Sequence, residues 1–259
     1  MINCYVINLD RAVERWESVV QSPGLRELNI IRVPAIDGRT LRSPYPNFSP
    51  WGFFFCTGHR PRPNPIACYN SHLKALNLFL ESGEEFAIIC EDDIAGTPEL
   101  PDVLREALRY SDSWDWVRLT GFRQKTFIPF ADLGGGYRLV SDLRCASSAG
   151  CYLLNRRAAR LFLRYFGTMW IYYDLAMFYS VPVGIREAAV VPFPVVLNEH
   201  SHTSQIGHTG KTVHYSPWHP YRLNILTVWT YRIFTRSWRR LHRIRLGLQR
   251  CFFPPKPLI

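Results

Sequence analysis

Phe86-Ala-Ile-Ile-Cys-Glu-Asp-Asp93 sets an unbroken apolar run directly against three carboxylates. A run this short, bounded by charge, reads as a buried β-strand, with Glu91, Asp92 and Asp93 at its C-terminal end. Ligands of open α/β sheets bind beyond the carboxyl ends of the strands. Three adjacent carboxylates repel one another unless a cation or hydrogen bonds compensate them. Hard oxygen ligands of this kind suit Mn²⁺ or Mg²⁺, ions that commonly also bind substrate phosphates. One carboxylate of such a set takes the metal while another takes a ribose hydroxyl or a water.

Upstream, Cys4-Tyr-Val-Ile-Asn-Leu9 and Ile30-Ile-Arg-Val33 read as two more buried strands. Between them Asp10 caps a helix over about residues 11–21, stopped by Pro23-Gly24, which makes a β-α-β unit and a parallel sheet. Six prolines between Pro44 and Pro65 predict a loop or lid there rather than a regular element. Tyr69, Leu73, Leu76, Phe79 and Leu80 recur at helical spacing. Downstream, a helix near 101–110, strands at 116–119, 137–140 and 150–154, a helix at 155–165 and short strands at 183–185 and 195–197 complete the body. The expected class is α/β with a mostly parallel central sheet.

The formal charge of +10 is confined to one region. His200 to Ile259 holds ten Lys or Arg and no acidic residue, which leaves 21 basic and 21 acidic residues in positions 1–199. A neutral body argues against a nucleic-acid enzyme, whose basic charge surrounds its cleft. The seven cysteines are odd in number, scattered and without a CxxC pair, which argues against a disulfide framework or a zinc site and fits a reducing cytosol. The N-terminus lacks the basic region and long apolar core of a signal peptide.

Four further places hold candidate chemistry. Ser71-His72 falls at the start of the predicted helix, where backbone N–H groups favour a phosphate. Asp174 stands beside Tyr172 and Tyr173 in an apolar stretch and is a candidate for a catalytic base or for a helix cap. His200 and His202 form a His-x-His pair whose imidazoles are acceptable Mn²⁺ ligands. Arg11 and Arg15 are placed to reach a nucleotide or pyrophosphate. Walker A, Gly-x-Gly-x-x-Gly and Gly-x-Ser-x-Gly patterns are absent.

Taken in order, these pieces resemble glycosyltransferase family 25, the bacterial lipooligosaccharide galactosyltransferase-like enzymes. Tyr5-Val-Ile-Asn-Leu-Asp-Arg11 with Arg15, Ala35-Ile-Asp-Gly38, Cys68-Tyr-Asn-Ser-His72, Ile88-Ile-Cys-Glu-Asp-Asp-Ile94 and Ala149–Leu161 carry the likeness, with Asp174 and Ser204-Gln-Ile206 following. The resemblance implies a GT-A-type nucleotide-sugar-binding fold, a UDP-sugar donor, and inverting transfer of galactose or another hexose to a lipooligosaccharide or other glycan acceptor. It implies Asn8, Arg11, Arg15, Asp37, Ser71, His72, Glu91 and Asp92 as donor-binding residues. The metal set is then Asp93 and Glu91, joined by His200 and His202, for Mn²⁺ or Mg²⁺. Gln205 stands where an acidic residue is usual.

Residues 1–210 are expected to form the transferase domain and 211–259 a basic, aromatic segment. In that segment Leu226, Trp229, Ile233, Phe234, Trp238, Leu241, Ile244 and Leu248 recur at helical spacing. Arg232, Arg236, Arg239, Arg240, Arg243 and Arg250 gather on another face. The pattern predicts a helix lying on an anionic membrane surface, where Arg stems snorkel and Trp favours the interface, and hence a peripheral protein of the cytoplasmic face of the inner membrane; the alternative is a C-terminal helix packed on the body. A lipid-linked oligosaccharide is the matching acceptor. Two other classes compete: a divalent-metal phosphodiesterase or nuclease with a nucleic-acid-binding tail, and a non-catalytic glycan- or lipid-binding module.

Overall fold

The computed structural model describes residues 2–58, 62–121, 126–142, 148–198, 237, 240–250 and 252–258. Chain order is β1 (Asn3–Asn8), α1 (Val13–Val20), β2 (Asn29–Pro34), α2 (Pro50–Thr57), α3 (Pro63–Glu81), β3 (Phe86–Glu91), β4 (Ile94–Gly96), α4 (Leu100–Leu108) and β5 (Trp116–Arg118). Then follow β6 (Phe127–Asp132), β7 (Arg138–Asp142), β8 (Cys151–Asn155), α5 (Arg156–Phe166), α6 (Tyr173–Phe178), β9 (Glu187–Val191) and β10 (Val195–Leu197). Residues 240–250 form a last helix, α7.

Eight strands make one sheet in the order β2-β1-β3-β8-β5-β9-β7-β6, and β10 pairs with β4 in a separate ribbon. Pairing is parallel for β2-β1, β1-β3 and β5-β9 and antiparallel at the other junctions, so the sheet is mixed. Both faces are covered, which is why its central strands read as continuous apolar runs. Along β1, Tyr5 and Ile7 join the core under α3, α5 and α6, while Cys4 and Val6 join the core under α1 and α4. Along β8, Tyr152 and Leu154 face the first of these cores and Cys151 and Leu153 the second.

Several elements depart from the sequence expectations for local reasons. The cap of α1 is Ala12, and Asp10 instead pairs with Arg32 at 2.9 Å. The proline-rich stretch holds a regular helix, because Pro50 occupies the first turn of α2, where its missing N–H costs nothing. Ser49 Oγ accepts the Gly52 N–H at 3.2 Å and Gly58 closes the helix at φ 74°. Helix α3 begins at Pro63, well before Tyr69. A 3-10 turn occupies Val181–Val183, and the strand expected there lies later, at β9.

Helix α7 corrects the reading of the basic segment most sharply. Arg243 and Arg250 are buried, at 3% and 5% exposure, while Leu241 and Leu248 face outward at 65% and 46%. Arg243 forms an ion pair with Glu187 and donates to the Asp142 carbonyl at 3.1 Å. Arg250 donates to Ser141 Oγ, the Glu187 carbonyl and the Ser113 carbonyl, each at 2.7 Å, and covers the Phe130 ring. Arg118 lies in the same enclosure, ion-paired with Asp142. These two arginines therefore serve the protein interior and not a bilayer. Of the remaining residues assigned to the membrane-facing helix, those from 226 to 236, Trp238 and Arg239 fall outside the described residues. Among the described residues no helix is long and apolar enough to cross a membrane.

Candidate functional site

The order β2-β1-β3 makes β1 a switch point. The crossover through α1 returns on one face of the sheet, and the crossover through α2 and α3 returns on the other. The two connections leave the carboxyl ends of β1 and β2 for opposite faces, and a crevice opens there beside the carboxyl end of β3. Its walls are Ile7 and Leu9 after β1, Arg11 and Arg15 at α1, Ala35, Ile36 and Gly38 after β2, and Asn64, Ala67, Cys68, Ser71 and His72 on α3. Glu91, Asp92 and Asp93 close it at the end of β3.

Of the three carboxylates, Asp92 is committed to the fold. It is 7% exposed, with Oδ2 accepting from Asn8 Nδ2 at 2.7 Å and Oδ1 from Arg15 Nη1 at 2.9 Å. Asn8 also donates to the Ala12 carbonyl at 3.0 Å and accepts from Arg32, so it joins the end of β1 to the start of α1. Asn8 and Asp37 do not contribute to the crevice walls. Asp37 pairs with Arg11 and caps its own turn by accepting from the Arg39 N–H at 3.0 Å. Arg15, by contrast, is buried and turned toward the acidic end of β3.

The titration of Asp93, the last of the three carboxylates, is shifted. Burial, then the like charges of Glu91 and Asp92, raise its pKa to about 7. A carboxylate held this close to neutrality in a cleft is typical of a functional group.

Ser71 and His72 sit in the middle of α3, so no free helix N-terminus lies beside them, contrary to the phosphate-site expectation. Ser71 Oγ donates to the Ala67 carbonyl at 2.8 Å and accepts the Ile36 N–H at 2.9 Å, tying the turn after β2 to α3. Gly38 completes that join. A Cβ there would stand 2.2 Å from Asn64 Oδ1 and 2.7 Å from Asn64 Cα, so no larger residue lets the turn approach α3 this closely.

His72 has no exposed surface. Its ring stacks on Tyr173 with centroids 4.1 Å apart, Nδ1 lies 3.2 Å from the Tyr152 hydroxyl, and Nε2 lies 3.3 Å from Glu91 Oε1. Tyr152 and Tyr173 hydroxyls are 2.9 Å apart, and burial pushes both phenols up, so they stay neutral. Cys68 stands one helical turn before His72, and burial with the charges of Glu91, Asp174 and Asp93 raises its thiol. The Cys68 Sγ, a His72 ring nitrogen and a Glu91 oxygen all lie within 4.8 Å of one another.

Asp174 occupies the first turn of α6 and accepts the Leu175 N–H at 2.9 Å. Its pKa is raised by burial and by the Glu91 charge, while His72 acts in the opposite sense. It is thus electrically coupled to the crevice without lining it. His200 and His202 lie outside the described residues, as does Ser204-Gln-Ile206. Sequence reasoning missed Cys68, Tyr152 and Tyr173 as parts of this site. For Cys68 a signal existed, since Cys68-x-x-x-His72 places both side chains on one face of a helix.

An acidic strand end and two arginines on one switch-point crevice suit an enzyme that handles a phosphorylated ligand. Residues 1–133 match the model of glycosyltransferase family 25 (LPS biosynthesis protein), and the chain belongs to that family. It is a glycosyltransferase of lipopolysaccharide biosynthesis, an activity that takes a sugar donor and a glycan acceptor. No curated protein matches the chain. A solved structure described as "Crystal Structure of A197 from STIV" is similar, with a TM-score of 0.39 and 11% identity over 73% of this chain and 81% of that one.

Proposed function

We propose that the protein moves a hexose from a UDP-sugar to a lipooligosaccharide or related glycan with inversion, through a GT-A-type site assisted by Mn²⁺ or Mg²⁺. The observation that carries this reading is the excess of negative charge at the end of β3. Arg15 and Asn8 engage Asp92, whereas Glu91, beside His72, and Asp93 repel each other at the same strand end. Two carboxylates in that position fit a hard divalent cation, with Asp93 and Glu91 as its ligands. Such an ion, when bound, supplies positive charge to the departing pyrophosphate. Arg11 and Arg15, both facing the crevice, extend that positive field toward the diphosphate.

Inversion requires a base to take the acceptor hydroxyl's proton as it attacks the anomeric carbon. Asp174 is assigned this role, because burial and the Glu91 charge raise its pKa and so strengthen it as a proton acceptor. Donor turnover across a panel of UDP-sugars, with and without Mn²⁺, tests the reading, and absence of turnover with every donor refutes it. In the same assay Asp174→Asn is expected to lower transfer by about 10²-fold or more while donor affinity changes little. Equal loss of both makes Asp174 a structural residue.

Peripheral attachment to the cytoplasmic face of the inner membrane now rests on a different set of side chains. Leu241, Leu248, Phe252 and Phe253 are exposed, the two phenylalanines at 74% and 79%, with exposed Arg240, Arg245 and Lys256 among them. Apolar groups rimmed by cations suit a lipid-linked acceptor at an anionic surface. Flotation with anionic but not neutral liposomes is expected, reduced by Phe252→Ser with Phe253→Ser. Equal flotation of variant and native protein removes these residues from the interaction.

A further inference from the structure

Cys68, His72 and Glu91 combine three donor chemistries in one corner of the crevice, and their geometry goes beyond the all-oxygen cation set of the proposed mechanism. Cys68 and His72 are separated by four positions on α3, so both side chains point from the same helix face toward the end of β3. All three residues line the open crevice.

The imidazole is held as metal ligands are held. Stacking on Tyr173 fixes the ring plane, and the Tyr152 hydroxyl occupies Nδ1, the nitrogen turned away from the crevice. A hydrogen bond to the far nitrogen is the usual means of orienting a ligating histidine. Nε2 is thereby aimed at Glu91. The 3.3 Å separation from Glu91 Oε1 is long for a charge-assisted hydrogen bond, which runs to about 2.7–2.9 Å. It matches two ligand atoms on one tetrahedral ion, since bonds of about 2.0–2.1 Å at the tetrahedral angle set their ends about 3.3 Å apart. The Sγ lies within 4.8 Å of both, and the roughly 3.6 Å that a Zn–S bond of about 2.3 Å sets requires a closure of at most about 1 Å on binding.

We propose that Cys68 Sγ, His72 Nε2 and Glu91 bind Zn²⁺, leaving a fourth position open to the crevice. Sulfur and imidazole donors select zinc over Mn²⁺ or Mg²⁺, and three protein ligands with one open position is the arrangement of reactive rather than structural zinc. On binding, the Cys68 thiol gives its proton to solvent and its sulfur electron pair to the ion. Water, or an oxygen of a ligand in the crevice, takes the fourth position. Glu91 is common to this set and to the oxygen set, whereas Cys68 and His72 belong only to the first and Asp93 only to the second.

The experiment uses the full chain, stripped with a chelator, kept reduced with a phosphine and titrated with Co²⁺ as a spectroscopic stand-in. One equivalent is expected to give a thiolate-to-cobalt charge-transfer band and the intense visible bands of four-coordinate cobalt, both removed by Zn²⁺. Cys68→Ser should abolish the charge-transfer band and weaken Zn²⁺ binding by at least about 10-fold. Asp93→Asn should keep the band whether or not UDP-sugar turnover is ever found, which separates this inference from the proposed function. No charge-transfer band in the native protein overturns the site. So does a band that survives in both Cys68→Ser and Cys68→Ala, since the sulfur would then be another cysteine's.

Discussion

Asp93→Asn is expected to lower cation-dependent donor turnover by about 10²-fold or more, a loss of several kcal/mol of transition-state stabilisation. The same change should make the metal-free protein more stable at neutral pH. Burial and two neighbouring carboxylates raise the Asp93 pKa to about 7. A carboxyl with a raised folded-state pKa contributes stability that is complete below its unfolded value and is lost as pH rises through about 7. Asparagine imitates the protonated form at every pH. Its advantage therefore grows from about pH 4 to 7 and then levels, at on the order of 2 kcal/mol for this partly exposed group. Urea denaturation with chelator present, from pH 5 to 8, reads this out beside the turnover assay. A variant that is inactive yet no more stable at pH 8 would remove charge repulsion as the reason for the shift.

Arg243→Met is expected to destabilise the protein by about 3–5 kcal/mol, because it strands the buried Glu187 carboxylate. Burial already raises the Glu187 pKa, against the opposing charges of Arg243 and Arg118. Without Arg243 the group rises further. Its cost is then felt where it must ionise and relieved where it is protonated, so the deficit should be larger at pH 8 than at pH 5. Adding Glu187→Gln should restore part of the lost stability, since the stranded charge is gone. Chemical denaturation of the single and double variants at both pH values decides it. A loss below 1 kcal/mol would mean that α7 is not anchored through this pair.

Where local sequence alone determined structure, it was readable. The apolar runs of β1 and β3, the acidic end of β3, the periodicity of α3 and the helix following β8 each depend on neighbours within a few positions. Helix α2 was hidden because proline signals both a loop and a helix's first turn. Strand β6 lies at the sheet edge and carries Pro129, next to a register shift, so it lacks the pattern of an interior strand. The direction of β8 depends on how the chain returns from β7, and nothing within Cys151–Asn155 encodes it. At the site, the carboxylates were visible but not their division of labour. Asp92 is distinguished from Asp93 by Asn8 and Arg15, which lie more than 70 positions away. The basic helix was misread for the same reason, as the Glu187 carboxylate and the carbonyl and hydroxyl acceptors that hold Arg243 and Arg250 inward lie on β7, β9 and the turn before β5.

The inward arginines of α7 also set an order of events during synthesis. Domains form from the N-terminus as the chain emerges, and β7 and β9 are made well before residue 243. Until then Glu187 has only Arg118 among these cations, and the groove that will receive Arg250 stands open to water. The acceptors that hold Arg243 and Arg250 lie on β7, β9 and the turn before β5, away from β2, β1 and β3, where the crevice opens. A chain cut before residue 240 would lack both arginines and leave the Ser141 hydroxyl and the Glu187 and Ser113 carbonyls to water.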